Sequence, residues 1–173
     1  MAWLLEILLG LCIALPLRLW VVNIAKIQGR SMLPTLQDRE YALVWRLPYR
    51  FRKPRRQEVV ICHYPGRRTK WCRWIPQAFV KRVIGLPGDT IEFVEGKVHL
   101  NGILLEESYL DPARCRFLRD RPARVLGPDE FFVMGDNRDS SNDSRSVGPL
   151  SRRQIRGRVV CTLWPLPRMR SVH

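Results

Sequence analysis

The sequence predicts a mostly β fold: an antiparallel β-sandwich or partly closed barrel of short strands, preceded by an N-terminal transmembrane helix. Three observations carry this. Short runs rich in β-branched and aromatic residues recur from residue 27 onward. Turn-forming residues, 13 Pro and 11 Gly, break those runs at short intervals. Ahead of them stands one long apolar stretch, Ala2 to Val22, interrupted only by Glu6 and Arg18.

That first stretch just reaches the roughly 20 apolar residues a spanning helix needs. Glu6 and Arg18 sit near its ends, where side chains can snorkel to headgroups, and Trp3 and Trp20 flank it as interfacial aromatics do. Its uninterrupted part, Ile7 to Leu17, also has the length of a signal-peptide core. Residues 1–26 are read as a membrane anchor. Lys26 and Arg30 follow the run, so a literal count of flanking charge puts the rest of the chain in the cytoplasm.

Strands are expected at Tyr41 to Leu47, Glu58 to Cys62, Phe79 to Ile84, Thr90 to Val94, Lys97 to Leu100 and Ile103 to Leu105. Phe131 to Met134 and Arg158 to Trp164 complete the set. Asn101-Gly102 is a strong two-residue hairpin signal. Ser151 to Arg156 reads as a short helix capped by Ser151 and stopped by Gly157. No repeat or low-complexity linker divides residues 27–173, which read as one domain.

Lys and Arg total 30 against 16 Asp and Glu, a net charge of +14. Three readings fit: a nucleic-acid binder, a protein beside anionic lipid, or a solvated Arg-rich surface. No helix-turn-helix, zinc finger or aromatic RNA-binding motif is present, and nucleic acid is not expected as a partner. The five Cys contain no Cys-x-x-Cys pair and the three His do not cluster, so neither metal nor cofactor is expected. Cys62 and Cys72 lie near matching ends of a strand-turn-strand pattern through Pro65-Gly66, which makes a disulfide one option in an oxidising compartment.

Three segments could carry chemistry. Gly29-Arg30-Ser31-Met32-Leu33-Pro34-Thr35 follows the apolar stretch. Lys81-Arg82-Val83-Ile84-Gly85-Leu86-Pro87-Gly88-Asp89 lies mid-chain, and strand alternation puts Lys81 on one face with Phe79 and Val83. A Lys on an apolar face either lays its stem along the surface or is buried, with a lowered pKa, as a base. The third segment, Gly135 to Arg145, follows the apolar run Phe131 to Met134 and holds three Asp, two Arg, two Asn and three Ser. It can be a plain surface turn or a loop cross-linked by charge-assisted pairs.

In this order and spacing the three segments resemble the signature boxes of the type I signal peptidases, and the likeness spans most of residues 27–165. It implies a β-rich catalytic domain over 27–173, a nucleophile at Ser31 and a general base at Lys81. It also implies an oxyanion donor in the Ser31 N–H, and Ser141 as the hydroxyl orienting the lysine amine. By the same likeness Asp143 and Arg145 form a supporting ion pair and Asp136 and Arg138 a second brace. The apolar shelf around Lys81, with Met32, Phe79 and Val83, would suit contact with substrate. The implied enzyme is a membrane-bound endopeptidase that removes signal peptides from translocated precursors, with membrane lipid as a further partner. Its catalytic domain lies on the outer (trans) side of a bacterial plasma membrane.

Two positions depart from the family pattern: Gly29 where some members carry a Ser donor, and Gln57-Glu58 where a Gly-Asp turn is usual. The chain is also too short for a large accessory β-domain. A narrower Ser–Lys processing peptidase, or a non-catalytic Arg-rich module binding lipid or nucleic acid, are the rival readings. The catalytic one demands a neutral lysine. From a reference pKa near 10.4, a drop of roughly 3 units costs about 4 kcal/mol of differential solvation, which an apolar site can impose.

Overall fold

The structure, a computed structural model, describes residues 2–16, 21–68, 74, 76–116 and 119–173. Helix α1 (Ala2–Pro16) is apolar along its length except for Glu6. Among the described residues no helix is long and apolar enough to cross a membrane. At 1.5 Å per residue, α1 covers about 22 Å of a hydrocarbon core about 30 Å thick. The expected spanning helix over Ala2 to Val22 is not found among the described residues, and residues 17–20 of that stretch lie outside them. Val22–Lys26, assigned from the sequence to the anchor, is instead the strand β1.

The remaining elements are short. They are β2 (Tyr41–Trp45), α2 (Pro48–Phe51), β3 (Val59–Arg68), β4 (Pro76–Gly85), β5 (Thr90–Val94), β6 (Lys97–Leu100) and β7 (Ile103–Leu104). Then come β8 (Arg121–Val125), β9 (Glu130–Met134), α3 (Ser144–Val147), β10 (Leu150–Ser151), β11 (Ile155–Trp164) and β12 (Arg170–Ser171). They build two open antiparallel sheets, neither closed into a barrel. The larger runs β1-β2-β11-β3-β4-β9-β10, with β12 paired to β11, and the smaller runs β7-β6-β5-β8.

Local chemistry explains the turns. Asn101 and Gly102 take φ of 55° and 78°, the left-handed pair that a two-residue hairpin requires between β6 and β7. The expected helix at Ser151 to Arg156 shrinks to one 3₁₀ turn, Arg152–Gln154, whose Gln154 Oε1 accepts from the Ser151 N–H at 2.6 Å. From Ile155 the burial alternates, with Ile155, Gly157 and Val159 all inward, so the chain continues as β11.

Three apolar clusters hold the sheets. One joins Ile27, Met32 and Leu36 to Val44, Ile61 and Val159, fixing the loop after β1 on one face of the large sheet. A second packs Val60, Cys62, Tyr64 and Val83 with Phe131 and Ile155. The third, with Ile84, Phe132 and Met134 against Ile91, Phe93 and Val98, seats the small sheet on β4 and β9. Cys62 is a free, fully buried thiol, and its Sγ lies 3.6 Å from the Phe79 carbonyl. The disulfide considered for it is not formed by Cys62, and Cys72 lies outside the described residues.

Candidate active site

Ser31 lies in the loop between β1 and β2. Gly29 supports that loop with φ of 93°, a conformation strained for any side-chain-bearing residue, and its N–H donates to Asp38 Oδ1 at 2.7 Å. A Ser at this position would have to adopt the same strained backbone. Buried Met32 and Leu36 pin the far side, and the Leu36 N–H donates to the Met32 carbonyl at 2.8 Å.

Lys81 comes from the middle of β4, and its Nζ donates to Ser31 Oγ at 2.8 Å. Its side chain is 2% exposed, on the strand face shared with Phe79 and Val83 and next to Val60 and Cys62 of β3. Burial disfavours the ammonium and pulls the Lys81 pKa below the ordinary lysine value; the nearby Asp143 charge opposes this without reversing it. Asp143 is itself committed to other partners. Its carboxylate accepts from Arg145 Nε and Nη2, both at 2.9 Å, from the Gly135 N–H at 3.0 Å and from the Arg145 N–H at 3.2 Å. Burial would raise the Asp143 carboxyl, but the Arg145 hydrogen bond and charge, helped by the Gly135 N–H, hold it below the usual range.

The loop 135–145 also grips the serine loop through its backbone. The Asn137 N–H donates to the Ser31 carbonyl at 3.0 Å, and Asn137 Nδ2 donates to the Arg30 carbonyl at 3.1 Å. Asn137 was missed as a functional position, although it sits inside the motif; its type gave no hint that both its amides were needed. Gly135 is required by close approach. A Cβ there would lie 2.4 Å from the Ser31 carbonyl oxygen and 2.3 Å from Ser141 Oγ. Ser141 Oγ is buried and makes no hydrogen bond, so the expected bond from Ser141 to the lysine amine is not formed.

The expected Asp136–Arg138 brace is not formed either. Asp136 takes Arg82 Nε at 2.9 Å and Nη2 at 2.8 Å, and Thr35 Oγ1 donates to it as well, which fills both oxygens. Arg138 donates from Nε to the Gly135 carbonyl at 3.1 Å and pairs with Glu107. Arg82 also donates to the Gln57 and His173 carbonyls at 2.8 and 2.6 Å and lies 3.8 Å from the Tyr109 ring centroid. Gln57, standing where the family usually has Gly, keeps a glycine-like φ of 65°. Glu58 beside it accepts from Arg52, Tyr49 and the Arg55 N–H.

A cleft of about 290 Å³ opens beside Ser31 and Lys81, walled by Ala25 to Gly29 on one side and Gln77 to Lys81 on the other. Met32 and Phe79 line it. Val83 does not; it is fully buried between β3 and β9 and is a core residue rather than a substrate contact. Register explains the opening. The β4–β9 pairing begins at Arg82, so Ala78 to Lys81 are paired to β3 alone, and β1 is the outermost strand of its sheet.

A family model described as signal peptidase, peptidase S26, matches residues 1–164. A signal peptidase I of Leptolyngbya laminosa is 36% identical over 166 residues, covering 93% of this chain and 78% of that protein. One from Bacillus caldolyticus is 34% identical over 167 residues, covering 90% and 87%. The crystal structure of a signal peptidase I from Enterococcus faecalis superposes with a TM-score of 0.53 at 27% identity, covering 63% of this chain and 98% of that one.

Proposed function

The chain belongs to the signal peptidase, peptidase S26, family of serine peptidases, and from that premise we propose that it removes signal peptides with Ser31 and Lys81 as its catalytic pair. The observation that carries this is the 2.8 Å contact between a serine hydroxyl and a buried lysine amine whose pKa is driven down. A serine hydroxyl is a poor nucleophile until a base takes its proton during attack. Neutral Lys81 accepts the Ser31 Oγ proton as Oγ bonds to the scissile carbonyl carbon, and the Ser31 N–H receives the developing oxyanion. As the C–N bond breaks, the Lys81 ammonium returns that proton to the departing amine, leaving an acyl ester on Ser31. Water, deprotonated by neutral Lys81, then attacks the ester, and Ser31 Oγ leaves with the proton.

The rest of the site keeps this geometry. Asn137 fixes the backbone on both sides of the Arg30–Ser31 peptide bond. Arg145 neutralises Asp143, which keeps a bare carboxylate from holding Lys81 protonated. Ser141 supplies a buried hydroxyl with unfilled hydrogen-bonding capacity, able to receive the amine when Ser31 is acylated. An extended signal-peptide segment would lie in the cleft, adding to the unpaired edge of β4 and facing the end of β1. The N-terminal apolar segment would hold the domain at the outer face of the membrane, where cleavage sites emerge.

The test is cleavage of a secretory precursor by the full chain in detergent. Wild type should release the mature protein and the signal peptide, and Ser31→Ala should release neither. Equal cleavage by Ser31→Ala would reject the assignment.

A further inference from the structure

We propose that a second cavity, lined by five arginines around Tyr49, binds the phosphate-bearing headgroup of an anionic phospholipid. The cavity, about 530 Å³, is lined by Arg46, Arg50, Arg152, Arg153 and Arg156 with Tyr49 and Ile155, and shares no lining residue with the cleft beside Ser31. It forms where β2 ends at α2 and where the 3₁₀ turn Arg152–Gln154 leads into β11.

Among the described residues no carboxylate lines it. The nearby acids are engaged: Glu58 accepts from Tyr49 Oη at 2.7 Å and from Arg52 at 2.6 Å, and Asp129 accepts from the Arg152 backbone N–H at 3.2 Å. Elsewhere this chain matches buried arginines to carboxylates, Arg82 to Asp136, Arg138 to Glu107 and Arg145 to Asp143. Arg152, Arg153 and Arg156 enter no such pair among the described residues.

Arg152 is also held in place. Nη1 donates to the Ile155 carbonyl at 3.1 Å, Nη2 donates to the Tyr49 carbonyl, and the guanidinium sits 5.1 Å from the Tyr49 ring centroid. Burial pulls its pKa down, so positive charge here is kept at a cost. Guanidinium groups are planar forks suited to phosphate oxygens, and a cavity of them without carboxylates calls for an anion of that kind.

Two observations say that the phosphate belongs to a lipid. The Arg46 N–H donates to the Val21 carbonyl at 2.8 Å, which ties the cavity wall to the point where the N-terminal apolar segment joins the sheet. Trp45 and Phe51, next in sequence to Arg46 and Arg50, are 42% and 84% exposed. Exposed aromatics among arginines at the end of an apolar segment form the arrangement found at the headgroup layer. The choice of lipid rests on reading that segment as membrane-associated.

The experiment uses the full chain in neutral detergent at fixed salt, titrated with phosphatidylglycerol, phosphatidylcholine, inorganic phosphate and a single-stranded oligonucleotide, and read by native mass spectrometry. Wild type should retain phosphatidylglycerol about tenfold or more better than phosphatidylcholine. Arg153→Gln with Arg156→Gln, both exposed, should weaken it about 25-fold, from roughly fivefold per basic residue near an anionic surface. The unfolding midpoint should not move. Equal retention of the two lipids, or unchanged binding by the double variant, would overturn the proposal. So would inorganic phosphate binding as tightly at the same arginines, which makes this a free-anion site, or an oligonucleotide binding more tightly than lipid. Ser31→Ala should bind lipid as wild type does, so failure of the peptidase reading leaves this result standing. Release of the chain from membranes by alkaline carbonate would break the membrane reading separately.

Discussion

Gly135→Ala tests whether the loop 135–145 positions the nucleophile. The added Cβ would lie 2.4 Å from the Ser31 carbonyl oxygen and 2.7 Å from Ser141 Cβ. Ordinary contacts of a methyl carbon begin near 3.4 Å, so the serine loop and its neighbours must separate by about 1 Å. The Ser31 oxygen is backbone and is already held by the Asn137 N–H, so it cannot swing aside as a side chain would. Displacement of reacting groups by about 1 Å costs on the order of 100-fold in rate, and overpacking costs roughly 1–3 kcal/mol in stability. The assay is kcat/KM on a precursor peptide, with thermal unfolding measured in parallel. The expected result is a folded protein slowed about 100-fold, mostly in kcat. A Gly135→Ala enzyme with wild-type kcat would show that the close approach has no part in positioning Ser31.

Asp136→Asn leaves the buried Arg82 guanidinium without its charge partner, a loss of roughly 3–5 kcal/mol. At about 2–4 °C per kcal/mol for a chain of this size, calorimetry should find the unfolding midpoint lower by roughly 6–20 °C; a shift under a few degrees would mean Arg82 is otherwise satisfied. Ser141→Ala should preserve the fold and reduce kcat about 5- to 150-fold, the loss of one hydrogen bond to the amine in a catalytic step. It should also move the pH midpoint of kcat, which a purely structural serine would not do. Unchanged kcat and midpoint together would remove Ser141 from the mechanism.

Where the sequence alternates, the fold was legible. Strands β5 and β6 begin and end where Thr90 to Val94 and Lys97 to Leu100 were read, because Ile91, Phe93, Val98 and Leu100 all turn inward. Strand β8 was invisible for the opposite reason: Arg121-Pro122-Ala123-Arg124-Val125 is exposed along its whole length and has no apolar face to announce it. Strand β1 was hidden because it starts at Val22, the last residue of the apolar run, and was assigned with that run to the anchor. Ser31 and Lys81 stood out because their motifs are ordered along the chain, and β4 brings them together across 50 residues. The charge pairs were less legible. Asp136 and Arg138 are close in sequence, yet their partners are Arg82 and Glu107, chosen by tertiary packing. Asn137, read as part of a polar turn, is the residue whose two amides hold the serine loop.

The pH dependence of cleavage in wild type and Lys81→Arg tests the Ser31–Lys81 pair most directly. Burial lowers the Lys81 pKa, so the neutral, active amine appears at a lower pH than for an exposed lysine. Wild-type kcat/KM should therefore rise with pH through a midpoint below the ordinary lysine value. Lys81→Arg should be inactive across the range, because guanidinium keeps its proton at any accessible pH. Substantial cleavage by folded Lys81→Arg, with the wild-type pH profile intact, would contradict the account.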